Sequence, residues 1–208
     1  MGHGGTLVTS AAELEQVLGE PTPAARRKER TRLHDIDRAW LAASPLVFVA
    51  TADAAGNADV SPKGDPPGFT LVLDDTTIAL PERPGNRRAD GFHNLLQNPH
   101  VGLIYVIPGR GDTLRINGQA RVLRDAPYAE RMAVRGSVPT FVVEVAVEQV
   151  FFHCSKAFLR SKTWDPDTWT PEAAPRRAVI AHSLERPETP VEELDTYYGP
   201  QYAEHLYG

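Results

Sequence analysis

Short runs of β-forming residues recur between residues 46 and 152, and most of them are joined by turns too short to hold a helix. Two predicted hairpins pair residues 46–51 with 58–61, and residues 69–73 with 76–80. Connections this short join antiparallel strands, because parallel strands need a crossover of a dozen or more residues. The pattern therefore predicts a mainly β fold built on an antiparallel sheet, and six or seven such strands favour closure into a barrel.

The later runs extend this sheet and indicate which of its faces is buried. Residues 101–107 and 141–152 are mostly apolar and predict strands. Residues 113–123 alternate in polarity, which is the period of a strand with one buried face. The predicted core face carries Leu114, Ile116, Gly118, Ala120 and Val122, and the opposite face carries Thr113, Arg115, Asn117, Gln119 and Arg121.

Helices are predicted around the sheet. Ser10 and Glu13 form a capping box for a helix over residues 10–20, and a second helix with a basic first half is predicted over residues 24–43. Further helices are predicted from Arg87, over residues 126–135 and, irregularly, over residues 191–206. The predicted division is an N-terminal helical extension (1–43), a sheet domain (44–165) and a C-terminal extension (166–208) that packs on the sheet domain or on a partner chain.

Composition limits the classes of function. Of the 208 residues, 41% are apolar and 24% are charged, which is typical of a soluble globular protein. The net charge of −5 argues against nucleic acid as a partner, and no apolar run reaches the roughly 18 residues of a membrane span. The N-terminal residues lack a secretion-signal pattern, and a single cysteine cannot form an intrachain disulfide. We expect a cytoplasmic protein.

Motifs for metal binding and for nucleophilic catalysis are missing from the sequence. The seven histidines form no His-x-x-x-His or His-Glu-x-x-His unit, so no metal site is predicted. Cys154 follows His153, but adjacent residues on a strand point to opposite faces. We therefore interpret Cys154 as a buried structural thiol rather than as a nucleophile activated by its neighbour.

One segment, residues 80–99, contains a local conflict. Asn86 is a good N-cap, and the helix predicted to follow has Arg87 and Arg88 in its first turn. Cations at that position oppose the helix dipole. The conflict disappears if a phosphate binds at the helix start, held by backbone N–H groups and by both guanidiniums. The alternative is a pair of solvated surface arginines.

Four segments, in their order and spacing, resemble the pyridoxamine 5′-phosphate oxidase-like family, in a branch of FMN-dependent proteins of unassigned substrate. They are Ala-Asp-Val-Ser-Pro-Lys-Gly-Asp-Pro-Pro-Gly at 58–68, Leu-Pro-Glu-Arg-Pro-Gly-Asn-Arg-Arg at 80–88, Asn-Leu-Leu-Gln-Asn-Pro at 94–99 and Leu-Arg-Ile-Asn-Gly-Gln-Ala at 114–120. The resemblance implies a six-stranded antiparallel split β-barrel of the FMN-binding type over residues 44–165. It also implies a homodimer with two FMN sites at its interface.

The resemblance further implies which residues bind FMN. Arg87 and Arg88 match the basic pair that holds the phosphate in this family. The residues matched to the flavin ring and the ribityl chain are Val60, Ser61, Lys63, Leu80 and Pro81, while Thr113 and Arg115 match a strand that reaches the flavin from the partner subunit. The segment after His153 resembles this branch in particular, and its candidates for the cofactor or substrate edge are Lys156, Arg160 and Trp164. The alternative for Trp164 is packing on the barrel.

The function implied by the resemblance is an FMN-dependent oxidoreductase of a small molecule, in which the flavin supplies the redox chemistry. The chain lacks the C-terminal Arg-Leu-His-Asp-Arg-like segment that holds the substrate phosphate in pyridoxamine phosphate oxidases, so we do not expect oxidation of that vitamin. Two alternatives stay open. The chain binds or carries a flavin without turnover, or the same barrel binds haem, with His153 as candidate ligand, or a deazaflavin such as F420.

Overall fold

A single antiparallel sheet of seven strands forms the centre of the computed structural model, which describes residues 4–207, with His205 described by its backbone alone. The strands are Leu46–Ala52 (β1), Ala58–Gly64 (β2), Leu71–Val72 (β3), Thr77–Pro81 (β4), His100–Val106 (β5), Thr113–Arg124 (β6) and Phe141–His153 (β7). Their order is β2-β1-β5-β6-β7-β4-β3, so β2 and β3 are the two edges. The predicted class, mainly β with peripheral helices, is confirmed. The sheet has seven strands and stays open between β2 and β3, where we predicted six or seven strands closed into a barrel.

The sheet curls around one hydrophobic core. Val47 of β1 and Ile78 of β4 belong to the same buried cluster, although three strands separate β1 from β4 in the sheet. Leu114 and Ile116 of β6 are fully buried in that cluster, which confirms the face predicted from alternation. Trp40, from the helix preceding β1, covers one end of the core and packs edge-on against Phe152 at 5.2 Å between ring centroids.

The register between β6 and β7 shifts between Asn117 and Gly118. A Cβ atom at Gly118 would lie 2.0 Å from the carbonyl oxygen of Ala146 on β7. No side chain can be accommodated at that distance, so glycine allows the two longest strands to stay paired through the irregularity.

Within residues 4–207, seven short helices surround the sheet: Ala11–Leu18 (α1), Pro23–Arg27 (α2), Asp35–Ala43 (α3), Asp90–Leu95 (α4), Lys156–Ser161 (α5), Arg177–Leu184 (α6) and Val191–Tyr197 (α7). Four 3₁₀ turns accompany them, at Ala129–Met132, Pro166–Thr168, Pro171–Ala173 and Pro200–His205. The predicted cap of α1 is confirmed, since Ser10 Oγ accepts a 3.2 Å hydrogen bond from the backbone N–H of Glu13. None of the helices among residues 4–207 combines the length and the apolarity needed to cross a membrane.

The prediction of one helix over residues 24–43 is wrong. Residues 28–34 leave the helical path because Arg30 exchanges two backbone hydrogen bonds with Val150 of β7, at 3.1 and 2.7 Å. The Arg30 side chain also binds the buried carboxylate of Asp37 on α3. Backbone groups bonded to a strand cannot bond within a helix, so α2 and α3 form separately.

Two further predictions near the sheet are corrected. Residues 62–64, which lie beyond the strand predicted over residues 58–61, continue β2. Pro62 is tolerated there because β2 is an edge strand, whose outward-facing backbone groups need no partner strand. The helix predicted over residues 126–135 is reduced to one 3₁₀ turn, since Val134 and Ser137 instead exchange backbone hydrogen bonds of 3.1 and 2.9 Å.

The C-terminal residues form two short helices and return to the sheet. Ala178 and Ala181 of α6 pack on Leu194 of α7 in a small cluster of their own. The Tyr207 hydroxyl then donates a 2.6 Å hydrogen bond to Asp65 after β2. Residues 1 and 208, the outer limits of the two predicted extensions, lie outside the described residues.

Candidate functional site

Alternate residues of the edge strand β2 point into the curl of the sheet. Asp59, Ser61 and Lys63 are half-buried, and Ser61 lies opposite Val49 of β1 in the strand register. The Ser61 hydroxyl donates a 2.8 Å hydrogen bond to Asp59 Oδ2. Because side chains alternate along a strand, these three polar groups form one row on the inner face.

The loop between β4 and α4 brings Arg88 to this row. Arg87 and Ala89, on either side of it, have φ angles of 63° and 53°, in the left-handed region that non-glycine residues rarely adopt. Asn86 Oδ1 accepts a 3.1 Å hydrogen bond from the Arg88 backbone N–H. Backbone strain of this kind is concentrated at binding and active sites.

The same geometry shows that the helix predicted from Arg87 begins too early. A left-handed residue cannot continue an α-helix, so α4 starts only at Asp90. Arg87 and Arg88 therefore precede the helix instead of occupying its first turn. The conflict with the helix dipole does not arise, and Asn86 supports the loop rather than capping a helix.

Together these elements enclose a cleft of about 280 Å³ between β1, β2 and the start of α4. Its polar lining residues are Thr51, Asp59, Ser61, Lys63, Glu82, Asn86, Arg88 and Asp90. Phe92 and Leu95 of α4 and Val143 of β7 supply apolar surface at its base. The cleft is thus a mixed polar and apolar pocket that opens at the edge of the sheet.

The cleft has more carboxylates than cations, and both cations have a carboxylate partner. Lys63 Nζ binds the Glu82 carboxylate and lies 5.6 Å from the centroid of the Phe92 ring. Arg88 Nε donates a 2.7 Å hydrogen bond to Asp90 Oδ2. That contact uses one of the five N–H donors of an arginine, so the guanidinium can still hold a further anion.

This set of donors and acceptors fits a ligand with one anionic end and several hydroxyl groups. Arg88 can donate two parallel hydrogen bonds to a phosphate, and the Asn86 amide lies in the same loop. Asp59 and Glu82 would repel a phosphate but can accept hydrogen bonds from hydroxyl groups such as those of a ribityl chain. Of the two cations in the cleft, Arg88 therefore offers the position for a phosphate, with the carboxylates of Asp90 and Asp59 near its guanidinium. Within residues 4–207, no group of three or more histidine, cysteine or acidic side chains converges as a metal site.

Of the residues predicted to bind a cofactor, the cleft brings together Ser61, Lys63 and Arg88. Arg87 is exposed beside it, and Val60 points to the opposite face of β2. Leu80 is 2% exposed in the core, and Pro81 is buried and lines a neighbouring cavity. These four residues do not line the cleft within one chain.

Thr113 and Arg115 lie on the outer face of β6, away from the core face of Leu114. The Arg115 guanidinium lies 5.0 Å and Lys28 Nζ 4.9 Å from the centroid of the Phe151 ring. Arg115 Nε is buried and has no hydrogen-bond partner among the described residues. Burial, followed by the charges of Arg115 and Lys28, lowers the pKa of the neighbouring His153. This basic group is separate from the cleft. Cys154, which follows His153, is exposed, so the prediction of a buried thiol is wrong.

The same outer face becomes apolar toward the sheet edge. Phe48 of β1 pairs with Ile104 of β5 in the strand register, and both are 38% exposed. Val60 of β2 is 62% exposed beside them. We call Phe48, Val60 and Ile104 the outer patch.

The three candidates after β7 lie at a different place again. Lys156 begins α5 and Arg160 lies in its last turn, both exposed. Trp164 stacks on Phe158 with 5.7 Å between ring centroids, and its Nε1 donates a 2.7 Å hydrogen bond to the Arg110 carbonyl. None of the three lines the cleft, and the contacts of Trp164 fit the packing alternative.

Sequence reasoning did not single out several residues of the cleft, among them Asp59, Glu82, Asp90 and Phe92. Asp59 could have been found, because it is two residues before Ser61 on a strand and so shares its face. Glu82 and Asp90 follow from no sequence pattern, since their partners Lys63 and Arg88 are fixed by the fold and by the loop geometry.

Comparison with known proteins identifies the family. The model of the pyridoxamine 5′-phosphate oxidase family matches residues 33–154, which include all seven strands of the sheet and every residue that lines the cleft. A comparison with curated proteins finds no match.

Several solved structures resemble this chain, at low sequence identity and low TM-score. A candidate pyridoxamine 5′-phosphate oxidase from Lactobacillus delbrueckii is 27% identical over 59% of this chain and 95% of its own, with a TM-score of 0.46. An FMN-binding protein from Syntrophomonas wolfei is 14% identical over 57% and 89%, with a TM-score of 0.42. HutZ, the heme storage protein from Vibrio cholerae, is 16% identical over 59% and 94%, with a TM-score of 0.41. At TM-scores below 0.5 these likenesses do not bear on the function of this chain.

Proposed function

The chain belongs to the pyridoxamine 5′-phosphate oxidase family, and on that basis we propose that it binds FMN in the cleft and acts as an FMN-dependent oxidoreductase of a small molecule. The proposal depends on one observation: Ser61, Lys63 and Arg88 line the same cleft. The first two lie on a strand and the third in a strained loop more than twenty residues later, and all three were matched to FMN contacts from sequence alone.

Each residue has a separate role in binding. Arg88 holds the phosphate through guanidinium N–H groups not used by Asp90, and exposed Arg87 adds positive charge beside it. Lys63, held by Glu82, lies at the flavin end, where a cation favours the reduced, anionic ring. When bound, FMN supplies the electron transfer, so the protein needs no nucleophile of its own.

We include the homodimer in the proposal. The outer patch exposes three large apolar side chains on a sheet face, and such surfaces are typical of protein interfaces. A second copy on this face would cover Arg115, whose buried Nε has no hydrogen-bond partner in the part of the chain that the structure describes. Thr113 and Arg115, together with Lys156, Arg160 and Trp164, are then available to the flavin of the partner subunit. The cytoplasm is the proposed location.

The absorption spectrum of the purified protein tests the cofactor. We expect flavin bands, or their appearance after incubation with FMN and removal of the excess. A Soret band would identify haem, and a deazaflavin spectrum would identify F420; either result would contradict FMN. Anaerobic reduction of the bound flavin by NADH or NADPH, followed by reoxidation with oxygen, distinguishes an enzyme from a carrier. No reduction by either donor would contradict turnover with nicotinamides.

The double variant Arg87→Ala/Arg88→Ala tests the phosphate assignment. We expect FMN affinity to fall about tenfold or more, because a charge-assisted contact to the phosphate is lost. The matched control is Arg26→Ala/Arg27→Ala, which removes another consecutive arginine pair at the exposed helix α2. Unchanged FMN affinity in the first variant, or equal losses in both, would refute the assignment.

A further inference from the structure

A second cavity, of about 300 Å³, adjoins the cleft. The two share Pro62, Lys63 and Glu82 in their walls. The side of the second cavity away from the strands is formed by Leu206 and Tyr207, the last residues that the structure describes. The C-terminal segment is therefore part of the wall of a pocket next to the proposed flavin site.

Specific contacts hold this wall in place. The Tyr207 hydroxyl donates a 2.6 Å hydrogen bond to Oδ1 of Asp65, and Arg83 Nε donates a 2.6 Å hydrogen bond to Oδ2 of the same carboxylate. The Asp65 side chain is 2% exposed. The Tyr207 ring also lies 5.6 Å from the guanidinium carbons of Arg83 and Arg135. The hydrogen bond to Asp65 raises the pKa of Tyr207, so the hydroxyl remains a donor at neutral pH.

The charges around the second cavity are already paired. Lys63 binds Glu82, and Arg83 binds Asp65, so each cation in the lining has a carboxylate partner. An anionic ligand would gain little net attraction here, because Glu82 and Asp65 neutralise Lys63 and Arg83, and the Arg83 guanidinium also donates to the carbonyls of Met132 and Ser137. The remaining lining surface is largely apolar and includes Phe69, Pro81, Pro84 and Leu206. An uncharged planar ring would instead bury apolar area without losing an ion pair.

We propose that the second cavity binds an uncharged planar molecule of one or two rings, with Tyr207 as one of its walls. That this ligand is the substrate of the flavin rests on the proposed function, whereas the binding site itself does not. The volume is at the lower end of the range for ligand pockets, which suits a ligand of this size.

Isothermal titration of the full chain with two probes tests the proposal. 2-Naphthol and naphthalene-2-sulfonate share a bicyclic ring and differ in charge. We expect 2-naphthol to bind about tenfold more tightly or better, because the sulfonate meets no free cation. Equal or tighter binding of the sulfonate, or no binding of 2-naphthol, would overturn the proposal.

Variants locate the site. Tyr207→Ala removes the aromatic wall and is expected to weaken 2-naphthol binding about tenfold, while Tyr207→Phe keeps the ring and has a smaller effect. The matched control, Tyr197→Ala, removes an exposed tyrosine of the same extension that does not line this cavity, and should leave affinity unchanged. Equal affinity for wild type and Tyr207→Ala, or equal losses in Tyr207→Ala and Tyr197→Ala, would overturn the assignment.

The proposed FMN site and the proposed second ligand site can be tested independently of each other. Arg87→Ala/Arg88→Ala should bind 2-naphthol with wild-type affinity, since neither arginine lines the second cavity. If the wild-type chain binds 2-naphthol but no FMN, the site stands and its ligand is not a flavin substrate. Loss of 2-naphthol binding in the double arginine variant would contradict a separate site.

Discussion

Arg88 donates a 2.7 Å hydrogen bond from Nε to Oδ2 of Asp90, the first residue of α4. The contact fixes the largely exposed guanidinium at the mouth of the cleft, and it also leaves a negative charge next to the position proposed for a phosphate. Asp90 therefore has two opposing effects on an anionic ligand, since it orients the cation and repels the anion.

Replacing Asp90 by asparagine separates these effects, because the amide oxygen still accepts the Arg88 hydrogen bond while the charge is removed. We expect FMN to bind about two- to fivefold more tightly, which is the range for an exposed ion pair. The gain should decrease in high salt. Quenching of flavin fluorescence gives the dissociation constant, and Asp35→Asn, which removes an exposed acid outside the cleft, is the control. Weaker binding by Asp90→Asn would mean that its charge is needed to hold Arg88.

Arg83 is expected to be critical for stability. It binds Asp65 and donates hydrogen bonds of 2.6 and 3.3 Å to the carbonyls of Met132 and Ser137. Arg83→Met leaves the Asp65 carboxylate buried without its cation, so we expect a loss of about 3–5 kcal/mol in the free energy of unfolding. Urea denaturation measures it at a fixed protein concentration. The control Arg124→Met, which breaks an exposed pair with Asp125, should change the value by about 0.5 kcal/mol or less; a similar change in both variants would contradict the prediction.

His153 makes the protein less stable in mild acid. Burial and the charges of Arg115 and Lys28 lower its pKa in the folded chain, so below the ordinary value of about 6.5 the unfolded chain takes up a proton that the folded chain does not. Stability is therefore complete above that pH and declines as the pH falls through it. We expect the melting temperature to fall less between pH 7 and pH 5 in His153→Gln than in wild type. Identical pH profiles would show that His153 does not contribute.

The outer patch predicts how the chain assembles. Ile104→Lys places a charge on the apolar sheet face, and burying an unpaired charge is costly, so we expect the dimer to dissociate. Light scattering should give twice the chain mass for wild type and the single-chain mass for the variant. Leu184→Lys, at an exposed leucine of α6, is the matched control and should stay dimeric. A monomeric wild type would contradict the dimer itself.

Most of the sheet could be predicted from sequence because strand patterns are local. The alternation of residues 113–123 identified β6 and its buried face without any knowledge of neighbouring strands. The edge position of β2 could not be predicted in the same way. It depends on which strands pair, and only that position explains why Pro62 is tolerated inside a strand.

The site was predicted less completely, for two physical reasons. The left-handed conformations of Arg87 and Ala89 carry no glycine or asparagine signal, so the late start of α4 was missed. The contact of Tyr207 with Asp65 joins residues 142 positions apart, and no local pattern reports such a contact. Val60 was grouped with Ser61 and Lys63 by resemblance, although strand alternation places it on the other face.

The two edge strands of the sheet, β2 and β3, affect how readily another chain can pair with it. Strand β3 is two residues long, and β2 carries a proline, Pro62, within its seven residues, so neither offers a long unbroken row of free backbone donors to another chain. Fibril growth by strand addition starts from such rows. Both edges of the open sheet therefore disfavour polymerisation by strand addition.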